Sequence, residues 1–110
     1  MKIIIETPGF KASPSMRAFA TTKVGTLAQL NDKIIKAQVT ILHESTVRTE
    51  KIICEINLFD SGKNLFAKSS SSIFEDAIIK TVALLKRKLR KNKTRKLITR
   101  KKAKQTKRAL

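Results

Sequence analysis

Neither tryptophan nor tyrosine occurs in this chain of 110 residues, and cysteine and histidine occur once each. A single cysteine, Cys54, excludes an internal disulfide and a cysteine-built metal cluster. It stands in the apolar register of Ile52-Ile53-Cys54-Glu55-Ile56 and reads as a small buried hydrophobe rather than a reactive thiol. A single histidine, His43, leaves no multi-histidine metal site and no catalytic triad. Its place near a strand end suits a solvated or strand-edge residue, with phosphate contact as the lesser alternative. Glycine is confined to Gly9, Gly25 and Gly62, so a glycine-rich phosphate loop cannot form. The carboxylates are scattered, and Glu75-Asp76 fall in a helix first turn, where they offset the helix dipole. Catalysis, a cofactor, a metal site and a small-molecule substrate are therefore not expected. No apolar run approaches the roughly 18 residues of a membrane span. The run from Met1 to Glu6 is too short for a signal peptide. The expectation is a cytoplasmic protein without a membrane partner, in a compartment that keeps a lone thiol reduced.

The absence with the greatest consequence is of acidic residues. The last one is Asp76; from Lys80 to the C-terminus the chain carries fifteen Lys or Arg. The other ten basic residues and all eight acids lie in residues 1–79, so the formal +17 divides into +2 and +15. A solvated helix face normally intersperses Glu or Asp to make i,i+4 pairs. Charge of one sign over more than thirty residues points instead to a polyanionic partner, nucleic acid foremost.

The apolar pattern places this charge on a fold. Lys2 to Glu6 is a β-branched strand, broken by Thr7-Pro8-Gly9. Ser13-Pro14 gives an N-cap and a first-position proline. Met16, Phe19, Ala20, Val24, Leu27 and Leu30 then recur at steps of three and four, predicting a helix of about four to five turns that ends at Asn31-Asp32. Ile35 to Ile41 alternates with odd positions apolar, and Lys51 to Phe59 with even positions apolar. These are half-buried strands forming an antiparallel pair, linked by a polar stretch from His43 to Thr49. Asp60-Ser61-Gly62-Lys63 is a turn into a third strand of the meander, Asn64 to Ser69. Ser72 and Glu75 have capping-box spacing. Behind them Phe74, Ile78, Thr81, Val82, Leu85 and Leu89 share one face of a second helix. Lys80, Arg87 and Lys91 line the opposite face, with Lys86, Lys88 and Arg90 on its shoulders. The order β-α-β-β-β-α predicts an α+β domain, a four-stranded sheet with two helices packed on one face. Residues 1–93 form this domain, and 94–110 read as a basic, disordered extension.

The helix-2 start, Ile73-Phe74-Glu75-Asp76, would repel phosphate where a major-groove reader needs base-contacting residues. Readers of single-stranded bases present aromatic rings on a sheet. Here only Phe59 and Phe66 could face outward, and either could instead be core. Shape and phosphate recognition of folded RNA fits better.

The element order, the helix-1 segment Met16-Arg17-Ala18-Phe19 with Lys23 and Leu27, and the helix-2 stretch Phe74 to Lys80 continuing through Leu85 to Lys93 together resemble the ribosome hibernation-promoting factors. These are also called ribosome-associated inhibitor or sigma-54 modulation proteins. The resemblance spans about residues 1–93. It implies a double-stranded-RNA-binding-like fold that lodges in the small ribosomal subunit, where messenger RNA and tRNA would sit, and blocks translation in idle cells. Carried over by position, Lys80, Lys86, Arg87, Lys88, Arg90, Lys91 and Lys93 would meet ribosomal RNA phosphates, and Arg17 and Lys23 match basic positions of helix 1. Lys23 falls on the apolar side of the helical wheel, where it either snorkels from the core edge or grips RNA. Thr26 stands where a basic residue often follows, and Leu30-Asn31 where an aromatic does. The second domain with which long members pair ribosomes is not present in this sequence, so a short form that neither self-associates nor dimerises ribosomes alone is expected. Two other readings stand beside this one: a general structured-RNA-binding or constitutive ribosomal protein, and a regulator that binds an acidic protein partner.

Overall fold

A computed structural model of the chain describes residues 1–61 and 63–109, with side chains as far as Lys91. The elements are β1 (Lys2–Glu6), α1 (Pro14–Gly25), a 3-10 turn (Thr26–Gln29), β2 (Ile34–Ser45), β3 (Glu50–Asp60), β4 (Asn64–Ser71) and α2 (Phe74–Ala109). They form one sheet in the order β1-β2-β3-β4. β1 runs parallel to β2, with Lys2 opposite Lys36 and Glu6 opposite Thr40, while β2–β3 and β3–β4 are antiparallel. A parallel pair needs a crossover, and α1 supplies it. Both helices lie on one face of the sheet, the α+β arrangement that the sequence predicts.

Local chemistry explains most of the boundaries. Gly9 has φ +85° between Pro8 and Phe10, a conformation open to glycine at little cost, and the Thr7 hydroxyl closes this turn on the Phe10 carbonyl at 3.0 Å. The Ser13 hydroxyl caps α1 by accepting the Met16 N–H at 3.2 Å, with Pro14 in the first turn. The regular α-helix ends at Gly25, earlier than the apolar spacing suggests, and the 3-10 turn carries Leu27 into the core. The β2–β3 hairpin is tighter than the polar link suggests, because β2 continues to Ser45. Thr46 and Thr49 close the loop through an N–H to carbonyl bond of 2.8 Å and a hydroxyl pair at 2.8 Å.

The core joins Ala20, Val24 and Leu27 of the first helical segment to Ala37, Val39 and Ile41 of β2. Cys54, Ile56 and Leu58 of β3, Ala67 of β4, and Phe74, Ala77, Ile78, Val82, Leu85 and Leu89 of α2 complete it. Thr81 is the one buried polar residue among those described. Its hydroxyl is within 2.8 Å of the Ala77 carbonyl and 3.2 Å of the Cys54 carbonyl, so α2 is tied to the middle of β3. Burial pushes the Cys54 thiol up to about 11, in keeping with the inert role that its register predicts.

Two sequence expectations are corrected. Ile35, placed in the core by strict alternation, is 62% exposed, and Ile34 is buried in its stead. The cause is a β-bulge: the β2–β3 register shifts between Ile34 and Lys36, so one residue more than the alternation allows is accommodated there. The capping box of Ser72 with Glu75 does not form. Ser71 takes its place, accepting the Ile73 N–H at 3.3 Å and donating to the Asp76 carboxylate at 2.8 Å. The backbone of α2 continues into 94–109, where the sequence reading sets a disordered extension; the side chains of that segment, and Leu110, lie outside the described residues. No helix among the described residues is long and apolar enough to cross a membrane.

The bulge makes a sharp prediction. Ile34→Ala lowers unfolding free energy by about 2–4 kcal/mol, whereas Ile35→Ala changes it by no more than about 0.5 kcal/mol. Denaturant titration of the two variants checks this, and the reverse ranking would restore the unbroken alternation.

Candidate nucleic-acid interface

The candidate interface is the exposed face of α2. At 100° per residue the helix divides into a buried row, Phe74, Ile78, Thr81, Val82, Leu85 and Leu89, and an exposed row opposite, Lys80, Arg87 and Lys91. Eleven residues separate Lys80 from Lys91, about 16 Å along the axis at the helical rise. Arg90 is exposed and Lys86 half-buried on one shoulder. Lys88, exposed on the other shoulder, donates its ammonium to the backbone carbonyl of Phe66. That contact matters because β4 is an edge strand whose outer carbonyls have no neighbouring strand.

The cations are not equivalent. Lys80 lies 3.1 Å from Asp76 in an i,i+4 pair, and Asp76 also accepts the Ser71 hydroxyl. The Ser71 bond, and after it Lys80, hold the Asp76 carboxyl below its ordinary range. The last acid of the chain is thus occupied at the start of α2, and the uncompensated field begins after Lys80. Sequence spacing alone gives this pair, since Asp and Lys four apart on a helix meet. Between α2 and β4, Ser69, Lys80, Ala83, Leu84 and Arg87 line a shallow depression of about 350 Å³, where an anion would meet two cations and a hydroxyl. A larger one, about 510 Å³, lies beside Asn31, Asp32, Lys33, Asp60 and Lys63; its charges are mixed, and it does not continue the cationic row.

Of the remaining sequence-predicted residues, Arg17 is exposed on α1, beside α2 on the same sheet face. Lys23 is half-buried, with its ammonium 5.7 Å from the centroid of the Phe19 ring. This is the snorkelling geometry, with the charge over an aromatic face. Lys93 lies outside the residues whose side chains are described. His43 is exposed at the strand end, its ring edge-on to Phe10 at 6.3 Å. Among the described residues no group of three or more His, Cys, Asp or Glu is placed to hold a metal ion.

Comparison with known proteins agrees with this architecture. The profile of the family described as Sigma 54 modulation protein / S30EA ribosomal protein matches residues 3–97. A ribosomal subunit interface protein from Coxiella burnetii superposes with a TM-score of 0.75 at 20% identity, over 86% of this chain and 99% of that one. The N-terminal domain of Protein Y from Thermus thermophilus superposes with a TM-score of 0.72 at 17% identity, over 83% and 98% of the two chains. At such identities the likeness is one of fold. No curated protein matches the sequence.

The Asp76 contacts carry a pH dependence of known sign. A carboxyl whose folded pKa is depressed adds stability above its unfolded value near 3.8, and that stability is lost as pH falls through the lower folded value. Asp76→Asn therefore lowers the denaturation midpoint at neutral pH, and its difference from the parent shrinks as pH falls below the ordinary carboxyl value. A midpoint difference that persists undiminished in acid would assign the effect to packing rather than to the carboxylate.

Proposed function

Because this chain belongs to the Sigma 54 modulation protein / S30EA ribosomal protein family, we propose that it is a ribosome-associated hibernation factor. In this reading it binds the small ribosomal subunit through the cationic face of α2 and stops translation by occupying the channel of messenger RNA and tRNA. One observation carries the proposal: α2 seats one face in the core and presents Arg87, Lys88, Arg90 and Lys91 on the exterior with no acid among them. Occlusion needs no chemistry, only a rigid body whose charge fits an RNA-lined space. Rigidity comes from the core and from Thr81; charge comes from the row that the core cannot accept.

Phosphate contacts release counterions, so affinity falls with salt in proportion to the phosphates engaged. With about six to ten contacts the loss between 50 and 200 mM salt is about 10³–10⁵-fold. Bound RNA also relieves the repulsion between cations four apart on α2, Lys86 with Arg90 and Arg87 with Lys91, so binding and helix stability reinforce one another.

Co-sedimentation with vacant ribosomes and separated subunits at about 150 mM salt, near physiological ionic strength, tests the proposal. Saturable one-to-one binding to the small subunit, displaced by tRNA and messenger RNA, is expected. Arg87→Glu with Lys91→Glu leaves the fold intact, as circular dichroism would report, and abolishes binding and inhibition. Equal binding to every RNA would favour a general RNA-binding protein, and a charge-reversed variant that still inhibits translation would overturn the phosphate-contact account.

A further inference from the structure

The face of the sheet opposite the helices is uncovered, and its register sorts the side chains into layers. One layer runs Lys2, Lys36, Phe59, Asn64; the next runs Ile4, Gln38, Asn57, Phe66. The third runs Glu6, Thr40, Glu55, Lys68, and there Lys68 sits 3.6 Å from Glu55. The first two layers hold no acid. They combine two aromatic rings, three carboxamides and two ammonium groups, on strands that no helix covers on this side. Phe66 is 43% exposed, and the Lys36 ammonium lies 4.5 Å from the centroid of the Phe59 ring. Phe59 and Phe66 are diagonal neighbours on adjacent antiparallel strands, a cross-strand separation of about 7–8 Å.

We propose that this acid-free end of the open sheet face binds unpaired nucleotides of single-stranded RNA, with Phe66 as the stacking surface. An aromatic ring accepts the face of any base, and in a sheet it does so without rearrangement. Gln38, Asn57 and Asn64 supply donors and acceptors for base edges around the ring. Phe59 has a different part: its ring carries the Lys36 ammonium and holds that charge at the centre of the patch, where a phosphate joining two bases would pass. The surface is distinct from the α2 row and recognises a different feature of RNA, its bases rather than its backbone charge. The site does not depend on the α2 interface, although one RNA-rich partner would engage both.

The chain lacks tryptophan, so Phe66→Trp places a single indole reporter at the exposed position. Titrating this full-length variant with an oligouridylate of about eight nucleotides, a length within the range of single-strand sites, should quench its emission saturably. Phe66→Ala should weaken binding of the labelled oligonucleotide by about 5- to 150-fold, while Phe66→Trp retains it. The slope of affinity against salt should be unchanged in Phe66→Ala, since a stacking contact and no phosphate contact is lost. An unquenched indole, or an alanine variant within about twofold of the parent, overturns the proposal. So does an indole signal that follows protein concentration without RNA alongside a sedimenting dimer, because the face is then an interface between copies. The Arg87→Glu, Lys91→Glu variant separates this outcome from the α2 reading: its loss of ribosome binding tests the row, and the indole tests the sheet.

Discussion

The seating of one face of α2 on β3 and β4 is the constraint on which the rest depends. Ile78, Leu85 and Leu89 enter the same core as Ile56 and Leu58, and the Thr81 hydroxyl reaches the Cys54 carbonyl. A helix this rich in like charges gains little from its own sequence, because cations four apart repel. Helical order in such a segment comes from tertiary packing of the apolar stripe. The same packing sets the rotation of the helix about its axis, and with it the direction in which every cation points. Charge presentation is therefore a by-product of core burial.

Small polar contacts adjust this plan at the edges. Ser71, Asp76 and Lys80 form a chain at the start of α2 that engages the last acid and removes part of the charge of the first cation. The ammonium of Lys88 covers a carbonyl of the β4 edge, which lends the cationic helix a second purpose in protecting the open edge of the sheet. At the far end of the sheet Asn31 donates to Asp60 at 3.0 Å, fastening the loop before β2 to the β3–β4 turn. Each of these contacts is modest, and each acts where the core does not reach.

The molecule thus shows two unlike faces to its surroundings. The helical side carries the unrelieved positive charge of α2, in a chain that belongs to the Sigma 54 modulation protein / S30EA ribosomal protein family. The sheet side carries balanced charge over most of its length, and at one end collects aromatic rings, amides and lysines. The antiparallel register brings Phe66 level with Asn57 and Gln38, residues far apart in sequence, so this collection exists only in the folded sheet.

Local sequence is enough for the element order, the start of α1 at Ser13-Pro14, the two rows of α2 and the burial of Cys54. All of these follow from local periodicity or from a cap that acts within one turn. It also determined the sign and location of the charge, because a run without acids cannot be neutralised from within. Tertiary structure alone decided the bulge at Ile35, since a shift in strand register is a property of the β2–β3 ladder and leaves the alternation pattern looking intact. It chose Ser71 over Ser72 as the partner at the start of α2, a choice among adjacent serines made by how β4 ends. It decided, too, that Phe59 and Phe66 face outward together, because the side of a sheet on which a residue lies depends on which face the helices cover. Periodicity reports that a face exists; only packing says which face is buried.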